Sequence, residues 1–558
     1  MNIAGVCLIE FQPSARRFDF YETWQLPRGS RLGGIGSCRC HFGEGEVQAA
    51  SADNNRFGET GEPDWSLYAL AGFICAAAYF VITRIPSLWT VSIDFGLHCV
   101  LVARIMTGEI QPVDPTMVEM TVYPHSSHVI AAIAGTVFDS PVMGLHVMAL
   151  ISLMTLWGLI AWGMMWSGRL AVLLLSAFLL LMAINSKFAH VELFGNEIVL
   201  NYFYPQLVGQ TLAIAALLLA GYMERRDVLP EIRYLFLGLC ASALISVHLL
   251  AAFEVAAVLA VSVAAECYSE WRVRRAFAGA AAIALAVLLS VRNADLWSLI
   301  EISQNNGALS IKYISGPVGA VLLAVATIAV SAAILYRWAW SEPIRRDDRL
   351  FLKYLASFGL SCGSLCLMQY LMLRLFDKGS EYAVKKYVFG LDTTLLLLAA
   401  YAIAVLASPR VVLRPRRRVI RLFCFAAVPL LFVVAPQFKV SRRTIDAVRL
   451  TTVERELRYY HDFALEPRTD KSDLAIGIVG SSGDYLLSIV ALRAPRSPNA
   501  FTIFSHQPVP HPEQIGSIFT SEHSSPWDVP SCRRHTFPNG IVQVDGACVL
   551  TAVGAGPR

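Results

Sequence analysis

Asp94 and His98 stand four residues apart, the spacing that puts a carboxylate and an imidazole on one face of a helix, here expected over about Ser92 to Met106. A carboxylate so placed can take the proton of an attacking hydroxyl, and the same spacing also fits an ordinary surface pair on an interfacial helix. Further on, Tyr123-Pro124-His125-Ser126-Ser127-His128 precedes an apolar stretch. Proline is favoured in the first helical turn, where its missing N–H would be unpaired anyway, so a helix is expected to open here. The free N–H groups and partial positive charge of such an end suit a phosphate, with Tyr123, His125 and His128 beside it. The alternative is that these histidines simply sit at a membrane interface.

The arrangement recurs at Tyr202-Phe203-Tyr204-Pro205-Gln206. Just before it, Glu192, Asn196, Glu197 and Asn201 carry groups that bind sugar hydroxyls or line a wet polar loop. With His98 and Glu109 from the earlier segment, Glu192, Asn201, Tyr204 and Gln206 are the candidates for holding an acceptor or a sugar. A third cluster, Tyr382-Ala383-Val384-Lys385-Lys386-Tyr387, sets two ammonium groups beside Tyr382. Ammonium groups neutralise phosphate, whether that of a bound lipid substrate or of anionic head groups in general. His248 and Glu254 are expected at another turn, solvated.

These groups need elements to position them, and composition says which. Of 558 residues, 55% are hydrophobic and only 16% are charged, against about 25% charged in soluble domains. A water-soluble enzyme is thereby excluded. The net charge of +4 is small and its arginines fall in separate clusters, which excludes a nucleic-acid partner. Apolar runs near the roughly 20 residues that cross a bilayer recur about eleven times. They are Trp65 to Thr83, Val142 to Trp166, Leu170 to Asn185, Tyr204 to Met223, Tyr234 to Leu249, Ala252 to Ala265, Ala276 to Val291, Ser315 to Tyr336, Leu350 to Leu373, Val388 to Ser408 and Val419 to Pro436.

Arg225, Arg226 and Arg233, then Arg272, Arg274 and Arg275, then Arg337, Arg345, Arg346 and Arg349, then Arg410 to Arg418 all fall on one side of that pattern, which the positive-inside trend makes cytoplasmic. An inner (plasma) membrane protein is expected. Residues 1–64 form a cytoplasmic arm without periodicity, 65–436 the membrane domain, and 437–558 a small exported α+β domain with runs near Thr452 to Phe463, Leu474 to Val479, Ala500 to Phe504 and Gly540 to Val544. Cys532 and Cys548 in that tail could close a disulfide. Cys38-Arg39-Cys40-His41 lacks a second ligand pair at zinc spacing, and Gly480-Ser481-Ser482-Gly483-Asp484 lacks the Lys and Ser/Thr of a P-loop and reads as a turn. About 57 residues separate the first run from the second, an outer loop (85–140) far longer than usual, and Asp94 to His128 all lie within it.

An acid just beyond the first span, a long first loop ending in Tyr-Pro-x-x-x-His, and a Tyr-x-x-Lys loop before a late span resemble, in that order, the GT-C superfamily of integral-membrane glycosyltransferases. The likeness covers roughly residues 66 to 400. It implies a mostly α, polytopic fold, a polyprenyl-phosphate sugar donor, and an extracytoplasmic glycan, lipid or protein acceptor. The first-loop acid, Asp94, would activate the acceptor hydroxyl in a single inverting displacement, with Lys385, Lys386, His125 and His128 on the departing phosphate. His98 follows Asp94 where several members carry an adjacent second acid, which leaves the use of a divalent cation open. A transporter or flippase of a lipid-linked glycan is the rival class; it calls for repeated halves with interrupted helices, and no internal repeat is evident.

Overall fold

A long apolar segment in a bilayer must satisfy its own backbone, and the helix does so. The computed structural model describes residues 70–72, 74–75, 78–79, 82–83, 85–88, 92–108, 123–269, 273–302, 309–314, 316–341, 349–412, 445–461, 471–492, 512–523 and 526–552. The arm 1–64 with its Cys38 to His41 cluster, most of the run Trp65 to Thr83, Glu109, the run Val419 to Pro436 and Ala500 to Phe504 lie outside the described residues.

The membrane portion comprises α1 (Ile93–Thr107), α2 (Ser126–Phe138), α3 (Pro141–Met165), α4 (Ala171–Ile184), α5 (Tyr204–Arg225), α6 (Pro230–Leu244), α7 (Leu249–Ser269), α8 (Val273–Arg292), α9 (Pro317–Ala339), α10 (Leu350–Phe376) and α11 (Val388–Val412). Among the described residues, seven helices are long and apolar enough to cross a membrane: α3, α5, α7, α8, α9, α10 and the run Glu381–Ala407 that includes most of α11. Two expected spans are shorter than anticipated. α4 has 14 residues and α6 has 15, so at 1.5 Å per residue each reaches only about 20 Å of a core roughly 30 Å thick.

The described residues of the long first loop are largely helical. α1 and α2 both lie in it, and α2 turns back at Asp139 and Ser140 to form a tight hairpin with α3. Gly144 makes that approach possible, since a Cβ there would stand 2.4 Å from the Ala131 carbonyl and from the Gly135 nitrogen. Outward-facing side chains such as Ile133, Phe277, Leu322 and Leu406 are exposed and apolar, as a lipid-facing surface requires.

One end of the bundle is sealed by charge. Lys353 Nζ lies 2.7 Å from both carboxylate oxygens of Glu224 and 2.8 Å from Glu266. Arg233 bonds Glu224 and, at 3.2 Å, Glu266. Tyr354 and Tyr234 donate to the same two carboxylates at 2.9 and 2.7 Å. Two cations thus balance two anions.

The C-terminal portion has α12 (Ala447–Tyr459), α13 (Ser481–Val490), and a sheet of β3 (Ser472–Ala475), β4 (Ile515–Ser521), β5 (Arg533–Thr536) and β6 (Ile541–Asp545) in the order β3-β4-β6-β5. The β3/β4 pair is parallel, with α13 as the crossover, and the other pairs are antiparallel. A short two-strand ladder joins β1 (Ser87–Leu88) to β2 (Ile445–Asp446). Cys532 and Cys548 are disulfide-bonded, tying the start of β5 to the terminal helix Gly546–Ala552. This portion packs onto the helical bundle. Gly96 of α1 contacts Tyr485 and Ile489 of α13, Arg455 and Arg458 reach the Asp139 turn, and Ser140 Oγ donates to the buried Glu454 carboxyl.

Candidate functional site

α1 begins where Ser92 Oγ accepts the Phe95 N–H at 3.1 Å, and it stops at Gly108, which takes the left-handed conformation at φ 75°. The same Ser92 hydroxyl donates to the Asn201 carbonyl at 3.0 Å, which fixes the start of α1 against the turn that leads into α5. Asp94 sits half-buried in the first turn of α1, where the helix dipole favours negative charge.

The turn before α5 is held from inside. Glu197 accepts the Gly195 N–H at 2.6 Å through its side chain and the Phe203 N–H at 3.2 Å through its carbonyl. Burial pushes the Glu197 carboxyl up to about 8, outweighing those backbone N–H groups. Tyr202 is buried at φ 61°, a strained conformation for a bulky residue, with its ring edge-on to Phe95 at 4.2 Å. The strain turns Phe203 and Tyr204 inward.

Four chain segments meet at this end of the bundle. Tyr204 donates to the Ser127 carbonyl at 2.9 Å, which joins α5 to the start of α2. His98 Nδ1 and His128 Nε2 are 2.9 Å apart, and Tyr123 flanks both rings at 5.8 and 5.9 Å. Lys386 Nζ lies over the rings of Tyr382 and Phe203 at 4.4 and 4.8 Å. The Asp94 carboxylate is within electrostatic reach of Tyr123, Tyr382 and Lys386. Burial lowers His98, with the charges of His128, Lys386 and His248 adding to it; burial also lowers His128 to about 3, and lowers His248. All three imidazoles are neutral at pH 7.

Asp94, His98, Tyr123, His128, Tyr204, Tyr382 and Lys386, chosen from separate stretches of sequence, therefore converge, with Gln206 in the first turn of α5. Other candidates fall elsewhere or into scaffolding. Lys385 makes no aromatic or ionic contact among the described residues, so of the two lysines it is Lys386 that reaches the cluster. Glu192 bonds Asn196 Nδ2 at 2.8 Å, and Asn201 contributes its carbonyl to Ser92. His125 holds the N-cap position of α2 without a side-chain capping bond; it is half-buried, and its Nε2 has no partner among the described residues.

Three expectations are corrected. Helix α2 opens at Ser126 rather than at Pro124, which lies ahead of the cap and uses its carbonyl to contact His128. Glu254 and His248 are not solvated; they are 1% and 7% exposed. Because α7 begins at Leu249, Glu254 falls in its second turn facing the interior, where Gln210 Nε2 donates to it at 2.7 Å and Cys362 at 3.3 Å. The signal was present, since an ionisable residue inside an apolar run is a functional candidate by default. The His98/Asp94 surface pair is also ruled out, because His98 is 4% exposed and bonds His128.

The Gly480 turn has a physical answer of its own. The Asp484 carboxylate accepts the N–H groups of Gly477, Ile478 and Val479 at 2.7, 3.1 and 2.9 Å. A carboxylate already occupies the amides that a phosphate would need. Several buried polar atoms in and around the cluster, by contrast, have no partner among the described residues: both amide atoms of Gln206, Gln210 Oε1, Glu197 Oε1, Tyr202 OH and His248 Nδ1. Such atoms are rare in folded proteins and mark places where water or a ligand belongs. No group of three or more His, Cys, Asp or Glu among the described residues is arranged to hold a metal ion.

No protein-family model and no curated protein matches this chain. The geometry alone therefore carries the functional reading.

Proposed function

We propose that the chain is a GT-C-like integral-membrane glycosyltransferase that moves a sugar from a polyprenyl-phosphate donor to the hydroxyl of a glycan, lipid or protein acceptor, with inversion. The observation that carries this reading is the convergence of a half-buried carboxylate, Asp94, with the ammonium of Lys386 at one end of an apolar helical bundle. Inverting transfer needs those two charges. Asp94 takes the acceptor proton as the oxygen attacks the anomeric carbon, and Lys386 meets the negative charge that grows on the departing lipid phosphate. The rings of Tyr382 and Phe203 fix the ammonium without neutralising it.

An amphiphilic donor also suits the surroundings. The exposed apolar side chains of the bundle, such as Ile133, Leu322 and Leu406, offer the surface that a donor held in lipid would meet. In this reading the donor approaches from the extracytoplasmic side of the inner membrane.

The test is transfer from a labelled polyprenyl-phosphate sugar to candidate acceptors by the purified protein in lipid nanodiscs. Asp94→Asn is expected to lower turnover roughly 10²- to 10⁴-fold, the usual contribution of a general base, and Lys386→Ala to raise the donor KM and lower kcat. Undiminished transfer by Asp94→Asn refutes the assignment. Movement of intact sugar lipid across a vesicle membrane, without bond exchange, would favour the flippase class instead.

A further inference from the structure

The contacts of His128 determine where the protons sit on both histidines. Its Nδ1 lies 3.3 Å from the Pro124 carbonyl and 3.3 Å from Ser127 Oγ. A carbonyl oxygen only accepts, so Nδ1 carries the hydrogen. In a neutral ring the other nitrogen then has a lone pair, and His128 Nε2 accepts the hydrogen bond of 2.9 Å from His98 Nδ1–H. His98 is neutral as well, so its Nε2 also has a bare lone pair. The His98 N–H is thus spent on His128 and the His128 N–H on the Pro124 carbonyl, and nothing remains to donate to a phosphate.

An ionised phosphodiester has no proton to give, and the one bare lone pair, on His98 Nε2, does not attract it. A hydroxyl does have one. Around His98 the other charged and titratable groups include Lys386, His248 and Tyr123. His248 packs its Cβ 2.9 Å from the Cβ position of Gly209 on α5, one turn from Gln206, and both amide atoms of Gln206 and Nδ1 of His248 are buried without partners. The bare ring nitrogen, the amide and the second imidazole are the complement of a ring bearing several hydroxyls.

We infer that His98, Gln206 and His248 form a hydroxyl-specific subsite in which His98 Nε2 accepts a hydrogen bond from a free hydroxyl of the bound sugar, while the phosphate is left to Lys386. This rests on the transferase reading for the identity of the sugar lipid, but not for the polarity of the histidine pair. His98 acts on specificity and His128 as a positioning residue. A donor whose hydroxyl at that point is missing or methylated should be rejected.

The experiment uses the full chain in nanodiscs with ¹⁵N-labelled histidine, the two signals being assigned with His98→Gln and His128→Gln. Both rings are expected to be neutral and protonated at Nδ1. Addition of a polyprenyl-phosphate sugar should shift the His98 Nε2 signal, and bare polyprenyl phosphate should leave it in place. A proton on His98 Nε2, or an equal shift with the bare lipid phosphate, overturns the inference whether or not the protein turns over. In transfer assays with deoxy donors, one deoxy position should cost the parent roughly tenfold to a hundredfold in kcat/KM. That penalty should vanish in His98→Phe and persist in Lys386→Ala; a penalty unchanged in His98→Phe also overturns the inference. If no sugar is transferred at all while the ¹⁵N pattern and the sugar-dependent shift hold, the transferase reading falls and the hydroxyl subsite stands.

Discussion

Lys353→Met is the sharpest test of the charge cluster at the end of the bundle away from the site. Lys353 has no solvent exposure, and its ammonium touches both Glu224 and Glu266 while lying 4.4 Å over the Trp338 ring. Removing it leaves the buried Glu266 and half-buried Glu224 carboxylates facing Arg233 as their one cation among the described residues. Deleting one partner of a buried ion pair costs about 3–5 kcal/mol, chiefly because the remaining charge is stranded. At 1.36 kcal/mol per decade, that is roughly a 10²- to 10⁴-fold loss in the folded-to-unfolded ratio. The double variant Lys353→Met with Glu266→Gln restores one cation to one anion, so it should recover most of the loss; the apolar exchange of a balanced pair is often close to neutral. Denaturant titration in detergent, followed by tryptophan fluorescence, measures both variants. Since α5 runs 22 residues from Tyr204 to Arg225, the cluster lies about 30 Å from the site by helical rise, and activity per folded molecule should not change. Equal stability of the single and double variants would refute the argument from charge balance.

Two further outcomes concern the C-terminal portion. Burial holds the Glu454 carboxyl up to about 7, with its Ser140 hydrogen bond and the nearby arginines opposing the shift only in part. The folded state therefore binds more protons than the unfolded one between its ordinary value of 4.5 and 7, and stability should fall as pH rises through that window, by about 3 kcal/mol. Thermal unfolding at several pH values should show the slope in the parent and not in Glu454→Gln; the same slope in both refutes it. Replacing Cys532 and Cys548 by Ser opens a loop with a sequence separation of 16, which should cost about 3 kcal/mol on the chain-entropy model. Hydrogen exchange should then accelerate in β5 and Gly546–Ala552 while α3 and α5 stay protected; unchanged protection in β5 would show that packing alone holds it.

Much of the architecture is legible in the chain because it is local. Apolar runs such as Pro141–Met165 and Leu350–Phe376 must become helices in lipid, whatever they pack against, and Ser92 and Gly108 mark the limits of α1 by their own side chain and backbone preference. The residue types needed for a site are likewise visible in sequence: an acid near the first run, histidines after Tyr123-Pro124, lysines after Tyr382. Short runs are less legible for an equally physical reason, since apolar content does not by itself tell a spanning helix from the 14-residue α4.

What the chain could not disclose is how each helix is rotated and who its neighbours are. That Lys386 rather than Lys385 turns into the cluster depends on the facing rings of Phe203 and Tyr382. That His98 spends its proton on His128 depends on α1 and α2 meeting across 30 residues of chain, and that Glu254 is interior depends on Gln210 and Cys362 from two other helices. Local sequence governs whether a helix forms. Hydrogen-bond partners distant in the chain govern which groups it leaves free to act, and only the packed structure brings them within reach.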